Sequence, residues 1–286
     1  WIKKMEFFLT GGTGFIGSHL LQNAMSNNHK VNALRRAKSS NPKIKLNKEP
    51  YWINKNFEDV AQSNFKNSEV LVHLASHSAN VPYDNLENCL KFNVFKTLIL
   101  FNKAYDCGIR KYIVTGSSFE YGKQGENFEF IPPNAPLFPT QSYPASKAAA
   151  SVILTQWAIQ KKVSLKILRL FQVFGEGEKE NRFWPSINKT AKSGKNFKMT
   201  YGDQIRDFIR VEEVSEKIIN ESLSFTKNRV TIKNIGSGRP TKLKIFAKNI
   251  WENLKAKGII EFGAIPYRKN EVMRYVPDIK SEYIIK

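Results

Sequence analysis

Only two cysteines, Cys89 and Cys107, occur in the 286 residues. So few thiols in so long a chain exclude a disulfide framework and a cysteine-rich zinc site, and they fit a reducing, cytoplasmic compartment. No apolar run reaches the roughly 18 residues that a membrane-spanning helix needs, so insertion in a bilayer is not expected. The opening WIKKMEFFLT lacks the regions of a signal peptide. It starts on Trp rather than Met, which reads as a trimmed or engineered end. No internal repeat or low-complexity stretch is present, and no metal is expected. Acids are scarce as well: 25 Asp and Glu stand against 45 Lys and Arg, for a formal net charge of +20. Such a balance suits nucleic acid, an anionic membrane surface or small anionic ligands. The lysines are scattered, however, as in NPKIKLNK and KKVSLK, and form no basic tail. The reading is a solvated basic surface, with attraction of phosphorylated substrates as the functional alternative and no nucleic-acid partner.

With 41% hydrophobic residues, the chain can bury the core of one large α/β domain, or of a domain with a smaller lobe. KMEFFLT (4–10) reads as a buried strand, followed by a helical pattern carrying Phe15, Ile16, Leu20 and Leu21. Further strands are expected at 30–34, 51–54, 69–75, 111–117 and 164–170. Helices are expected at 85–106 (Leu86, Leu90, Val94, Leu98, Phe101) and at 143–161. This alternation predicts an α/β fold with a doubly wound parallel sheet of Rossmann type. Beyond 175, a loop-like GEGEKENRFWPS, the helix VEEVSEKIINESL and a last helix near 244–256 read as a smaller interleaved C-terminal lobe. The expected division is a dinucleotide-binding domain over 1–175 with returning elements near 207–250. The substrate lobe would take 176–206 and 251–286.

Between the first strand and the first helix, Gly11, Gly14 and Gly17 have GxxGxxG spacing. An ordinary turn could use such glycines. At this position they also permit a tight turn, close approach of backbone to a pyrophosphate, and contact of that phosphate with the positive helix end, where Phe15 and Ile16 follow. At the end of the second strand, an acid would bond the ribose 2′-OH of NAD, whereas an arginine tolerates the 2′-phosphate of NADP. VNALRRAKSS offers Arg35 and Arg36 and no acid. NADP(H) is favoured, with NAD(H) the alternative. Asp59, after the third strand, is a candidate for the adenine or a surface loop acid.

YPASK places Tyr143 and Lys147 four residues apart at a helix start, with Pro144 suited to the first turn. The two then share a helix face. A nearby ammonium would lower the phenol from its usual pKa of ~10, which suits proton exchange with a carbonyl. Tyr51 and Lys55 repeat the spacing in a strand, where coupling is poorer, and read as structure.

GGTGFIG, HLAS, NVFKT, TGSSFEYG and YPASK stand in the order and spacing of extended short-chain dehydrogenases/reductases. The chain most resembles their nucleotide-sugar epimerase/dehydratase group. LRLFQVFGEGE, GDQIRDFIRVEEV and PYRKNEVMRYVPDI extend the likeness, and the narrower resemblance is to CDP-abequose synthase-type 4-ketoreductases.

The resemblance implies Ser117 as the catalytic hydroxyl, with Ser118 the adjacent fallback, Tyr143 as acid/base and Lys147 as its partner. It implies Leu74 and Ala75 of the HLA strand end beside the cofactor, Asn93 supporting the active-site helix at the cofactor, and Tyr143 and Lys147 also meeting the cofactor, with Lys147 positioning the nicotinamide ribose. His73 is given no chemical role. Arg206 and Arg268 resemble residues that grip the substrate diphosphate, and Arg182 is a further basic candidate or a surface residue. Related 4,6-dehydratases carry Asp-Glu after the catalytic Thr, where this chain has Ser118 and Phe119, so dehydration is not expected. Gln172 replaces a frequent Asn. The implied reaction is NADPH-dependent reduction of a nucleotide-linked 4-keto-6-deoxy sugar for bacterial surface polysaccharide, by a homodimer. An NAD-dependent 4-epimerase and a non-catalytic NADP sensor are the alternatives.

Overall fold

The structure, a computed structural model, describes residues 4–269 and 271–285. Trp1–Lys3, Asn270 and Lys286 lie outside the described residues, and with them the reading of the opening as a trimmed end.

Strand β1 (Glu6–Thr10) explains the layering. Alternate side chains of a strand face opposite ways. Phe7 and Leu9 therefore enter one apolar cluster and Phe8 the other, all at most 3% exposed. A fully buried side chain of this kind stabilises by about 1.5–3 kcal/mol. The first cluster is closed by helix α1 (Phe15–Ser26) through Leu20 and Leu21. From β1 the chain steps outward through β2 (Lys30–Arg35) and β3 (Tyr51–Asn54), then returns to β1's other side with β4 (Val70–His73). Helix α2 (Leu86–Leu90), a π-helical turn (Lys91–Phe95) and α3 (Lys96–Asp106) lead to β5 (Lys111–Ser117). Then come α4 (Ser142–Lys161) and β6 (Ser164–Leu170). Leu100 and Phe101 of α3 and Leu154 and Trp157 of α4 fill the second cluster.

After β6 the chain leaves the main sheet for β7 (Gln172–Phe174), α5 (Phe183–Lys192), β8 (Phe197–Met199) and β9 (Ile205–Arg210). Helix α6 (Val211–Leu223) packs beside α1 through Val214 and Ile218, and β10 (Val230–Ile235) pairs with β6. The remaining elements are β11 (Pro240–Lys242), α7 (Leu243–Asn253), β12 (Ile260–Phe262), β13 (Arg274–Tyr275) and β14 (Glu282–Ile285). Among the described residues the main sheet has eight strands in the order β14-β10-β6-β5-β4-β1-β2-β3, parallel except for β14. This is the doubly wound fold expected, with its switch between β1 and β4, where such sheets open a crevice at the carboxyl ends of the strands. Smaller sheets join β11, β9 and β13, with β7 on β9, and pair β12 with β8. A separate apolar cluster of Ile187, Ala191, Phe197, Met199, Ala247 and Trp251 lies between α5 and α7.

Two elements differ from expectation. The strand expected at 69–75 ends at His73, because the next residues turn to cap β1: Leu74 N–H donates to the Thr10 carbonyl and Ala75 N–H to Thr10 Oγ1. The helix expected at 85–106 is broken by the π turn at Lys91–Phe95, which falls on the buried Asn93 and Val94. Such a turn adds a residue and is frequent at functional sites.

Candidate active site

The glycine loop leaves β1 at Gly11, whose φ of +77° is a conformation other residues rarely adopt. A Cβ at Gly11 would stand 2.5 Å from the Ala75 nitrogen, and one at Gly17 2.0 Å from the Gly11 carbonyl oxygen. The Gly14 N–H donates to that same oxygen at 2.9 Å. The three glycines thus bring β1, the Leu74–Ala75 strand end and the start of α1 into direct backbone contact. Among the described residues no side chain caps α1 at Gly14, so its first N–H groups are left able to bind an anion. Phe15 and Ile16 pack against the core beneath the loop. This cradle, which a Cβ would fill, fits a dinucleotide phosphate.

At the end of β2 the two arginines part. Arg35 donates from Nε to Asn54 Oδ1 (2.8 Å) and lies 4.5 Å over the Trp52 ring, whereas Arg36 is exposed. Asp59 is exposed on a short 3-10 turn and accepts from Asn56 Nδ2 at 3.1 Å.

His73 is a structural tie. It hydrogen-bonds Thr10 Oγ1 at 2.8 Å and Thr97 Oγ1 at 3.1 Å. Burial, with the Lys147 charge adding, drives its pKa down to about 3. Asn93 binds α4 to the next loop: its Nδ2 donates to Ser146 Oγ (2.9 Å) and the His77 carbonyl, and its Oδ1 accepts from His77 N–H (2.7 Å).

Tyr143 and Lys147 share the buried face of α4, 8% and 5% exposed. The Lys147 ammonium donates to the Thr115 carbonyl on β5 at 2.7 Å, two residues before Ser117. Here the expectation of an acidic phenol is corrected. Lys147 is turned to Thr115, and burial pushes the Tyr143 phenol up to about 12, with Glu120 and Tyr83 adding and the Ser76 hydroxyl and Arg182 opposing. Burial lowers the Lys147 pKa, with Glu120 opposing. Ser117 ends β5. Its Oγ accepts from Phe119 N–H at 3.2 Å, which leaves its own O–H to donate. Ser118 is buried, and its carbonyl accepts from the Tyr275 hydroxyl at 2.9 Å. Tyr51, by contrast, is 69% exposed on edge strand β3, far from any such arrangement.

The three arginines do not behave alike. Arg182 pairs with Glu178 (3.3 Å), and its charge reaches both Tyr143 and Tyr83. The exposed Arg268 also acts on Tyr83. Arg206 is held elsewhere: it pairs with Glu271 at 3.2 Å and donates to the Val272 carbonyl. The Arg206 charge is thus matched within the chain by Glu271.

Sequence reasoning missed Ser76, Tyr83 and Glu120. The Tyr83 ring packs against Tyr143 with centroids 5.4 Å apart, a contact that no periodicity signals. Glu120 forms a buried pair with Arg169, 2.9 Å apart. Its signal was an acid in SSFEYG and a base in the otherwise apolar ILRL (167–170).

The family model for the NAD dependent epimerase/dehydratase family matches residues 7–220. CDP-abequose synthase of Salmonella typhimurium is 29% identical over 288 residues, covering 97% of this chain and 91% of that protein. CDP-abequose synthase of Salmonella muenchen is 27% identical, covering 94% and 87%. A solved UDP-N-acetylglucosamine 4-epimerase from Methanobrevibacter ruminantium M1 has the same fold, with a TM-score of 0.86 at 24% identity over 98% of this chain and 91% of that one. With glycine cradle, buried Tyr143–Lys147 helix and a family match over most of its length, the chain belongs to the NAD-dependent epimerase/dehydratase family of enzymes.

Proposed function

We propose that the protein is an NADP(H)-dependent 4-ketoreductase acting on a nucleotide-linked 4-keto-6-deoxy sugar, of the kind used in bacterial surface polysaccharides. The observation that carries this reading is the Lys147–Thr115 hydrogen bond, which ties the helix bearing Tyr143 to the strand ending in Ser117. Its likeness to two CDP-abequose synthases supports the substrate class. Ser118 and Phe119, where dehydratases resembling this family carry an acid pair, speak against water elimination.

In this reading, Gly11, Gly14, Phe15, Ile16 and Gly17 hold the dinucleotide phosphates, with Leu74 and Ala75 alongside. Arg35 and Arg36 favour the 2′-phosphate, and Asp59 is the candidate at the adenine end. A bound nicotinamide supplies the hydride. The protein's part is the proton. Tyr143, whose phenol burial keeps protonated at neutral pH, donates to the sugar oxygen, while the Ser117 hydroxyl donates a hydrogen bond to the same atom. Lys147 holds the site together through Thr115, and Asn93 fixes the helix through Ser146. Arg182 and Arg268, both felt by Tyr83 beside Tyr143, are the cations placed for the diphosphate, with Arg206 the further candidate.

The enzyme is proposed to act as a homodimer through the π turn, α3 and α4, whose Phe95, Ile99, Val152, Ile153 and Ile159 are all at least 37% exposed. Keto-sugar nucleotides screened at equal NADH and NADPH, following reduced-nicotinamide absorbance, test the reaction. Stoichiometric NADPH consumption supports it. Tightly retained NAD with no net redox change would identify a 4-epimerase instead, the activity of the solved neighbour.

A further inference from the structure

Glu120 is fully buried, adjoins the site and has no role in the chemistry above. Its Oε1 accepts the Ser117 N–H at 2.7 Å. Its Oε2 accepts the Ser151 hydroxyl at 2.7 Å and Arg169 Nε at 2.9 Å. Arg169, itself 3% exposed, donates onward to the Pro133 carbonyl (2.9 Å) and lies 4.7 Å over the Tyr121 ring. Gly116 makes the room: a Cβ there would stand 2.6 Å from Glu120 Oε1 and 2.9 Å from Arg169 Cγ.

Burying two charges costs several kcal/mol per ion, and packed apolar residues often stabilise a fold as well or better. Stability alone is therefore a weak reason for this pair. Its contacts give a better one, because they join β5 at Ser117, β6 at Arg169 and α4 at Ser151. Helix α4 also carries Tyr143 and Lys147.

Resting on the reading of Ser117, Tyr143 and Lys147 as the catalytic set, we propose that Glu120 is a positioning residue. Its carboxylate clamps the Ser117 turn against α4 and gives the catalytic cluster a fixed negative charge. The charged and titratable groups around it are Arg169 from β6, Tyr143 and Lys147 from α4, and Tyr121 from its own turn. Its charge favours the protonated forms of both Tyr143 and Lys147. Removing it also leaves Arg169 unmatched, which favours the phenolate, so both effects act in one direction.

The test reads Tyr143 without substrate, by the fluorine NMR titration of 3-fluorotyrosine incorporated at that position. In Glu120→Gln the midpoint is expected to fall by about one pH unit, as loss of a nearby anion requires. In Glu120→Gln/Arg169→Met, where both charges of the pair are gone, it should return toward the wild-type value. With a keto-sugar nucleotide that the wild type reduces, Glu120→Gln should lower kcat about tenfold or more with KM within about twofold. An unmoved midpoint, or a Glu120→Gln protein with lower Tm but wild-type kcat, overturns the proposal. Should Glu120→Gln not fold, the double variant decides: lowered kcat in folded protein supports the clamp, and wild-type kcat overturns it. A wild type that reduces no keto-sugar nucleotide defeats the proposed reaction, while the titration still decides the role of Glu120.

Discussion

Lys147 and Thr115 join α4 to β5: the ammonium of one donates to the carbonyl of the other at 2.7 Å, with the lysine 5% exposed. A lysine held this way fixes the position of Tyr143, one helical turn earlier, relative to Ser117 at the strand end. The bond also explains why the phenol is not acidified by its neighbour: the ammonium is turned toward the sheet.

Two variants separate holding from chemistry. Tyr143→Phe removes the proposed proton donor and keeps the ring, so kcat should fall about 10²–10⁴-fold, the usual contribution of general acid catalysis, with Tm nearly unchanged. Lys147→Met removes a desolvated charge, so stability should stay within about 1 kcal/mol while kcat falls at least tenfold. Steady-state kinetics alongside thermal unfolding check both. A Tyr143→Phe protein with wild-type turnover would remove the phenol from the mechanism.

Arg36 offers the cleaner test of cofactor choice, because Arg35 also holds Asn54 and stacks over Trp52, so that its loss would disturb the strand as well. A charge-assisted hydrogen bond is worth about 1.5–3 kcal/mol, or roughly 10–150-fold. Arg36→Ala should therefore reduce kcat/KM for NADPH by about tenfold or more and leave that for NADH within about twofold. Equal losses with both cofactors would mean that Arg36 does not meet the 2′-phosphate.

What the sequence showed and hid divides along physical lines. The buried runs of β1 and β5, and the glycines at 11, 14 and 17, are local signals, so the doubly wound sheet and its loop were legible. The π turn at Asn93 was not, because the apolar spacing of Leu90, Val94 and Leu98 survives one extra residue in the backbone. Arg206 reads as an available cation until the chain returns, 65 residues later, with Glu271. Tyr83 comes to Tyr143 from a loop, where no period constrains the side chain. Glu120 and Arg169 did leave a trace, since opposite charges in apolar segments are rarely buried unpaired.

The outward faces of the π turn, α3 and α4 carry the prediction on assembly. Phe95 and Val152 are 61% and 62% exposed, and in the proposed dimer a second copy covers them. Sedimentation velocity should show a dimer. Phe95→Glu/Val152→Glu should shift it to monomer, because two desolvated carboxylates per subunit would face an apolar surface. A monomeric wild type at micromolar concentration would reject this interface.

Acid stability should expose His73. Its pKa falls from the ordinary 6.5 to about 3 because the ring is buried and Lys147 stands near. The folded protein holds it neutral, while the unfolded chain takes up a proton below pH 6.5, so its contribution is full above 6.5 and is lost as pH falls toward 3. Between pH 7 and pH 5 this amounts to about 2 kcal/mol of stability from the one group. Denaturant midpoints at the two pH values measure the total, and His73→Gln isolates the share. The glutamine can keep one bond to Thr10 or Thr97 but does not titrate, so the variant should be less stable at pH 7 and lose less on acidification. Equal losses in both proteins would show that the imidazole is not held neutral by the fold.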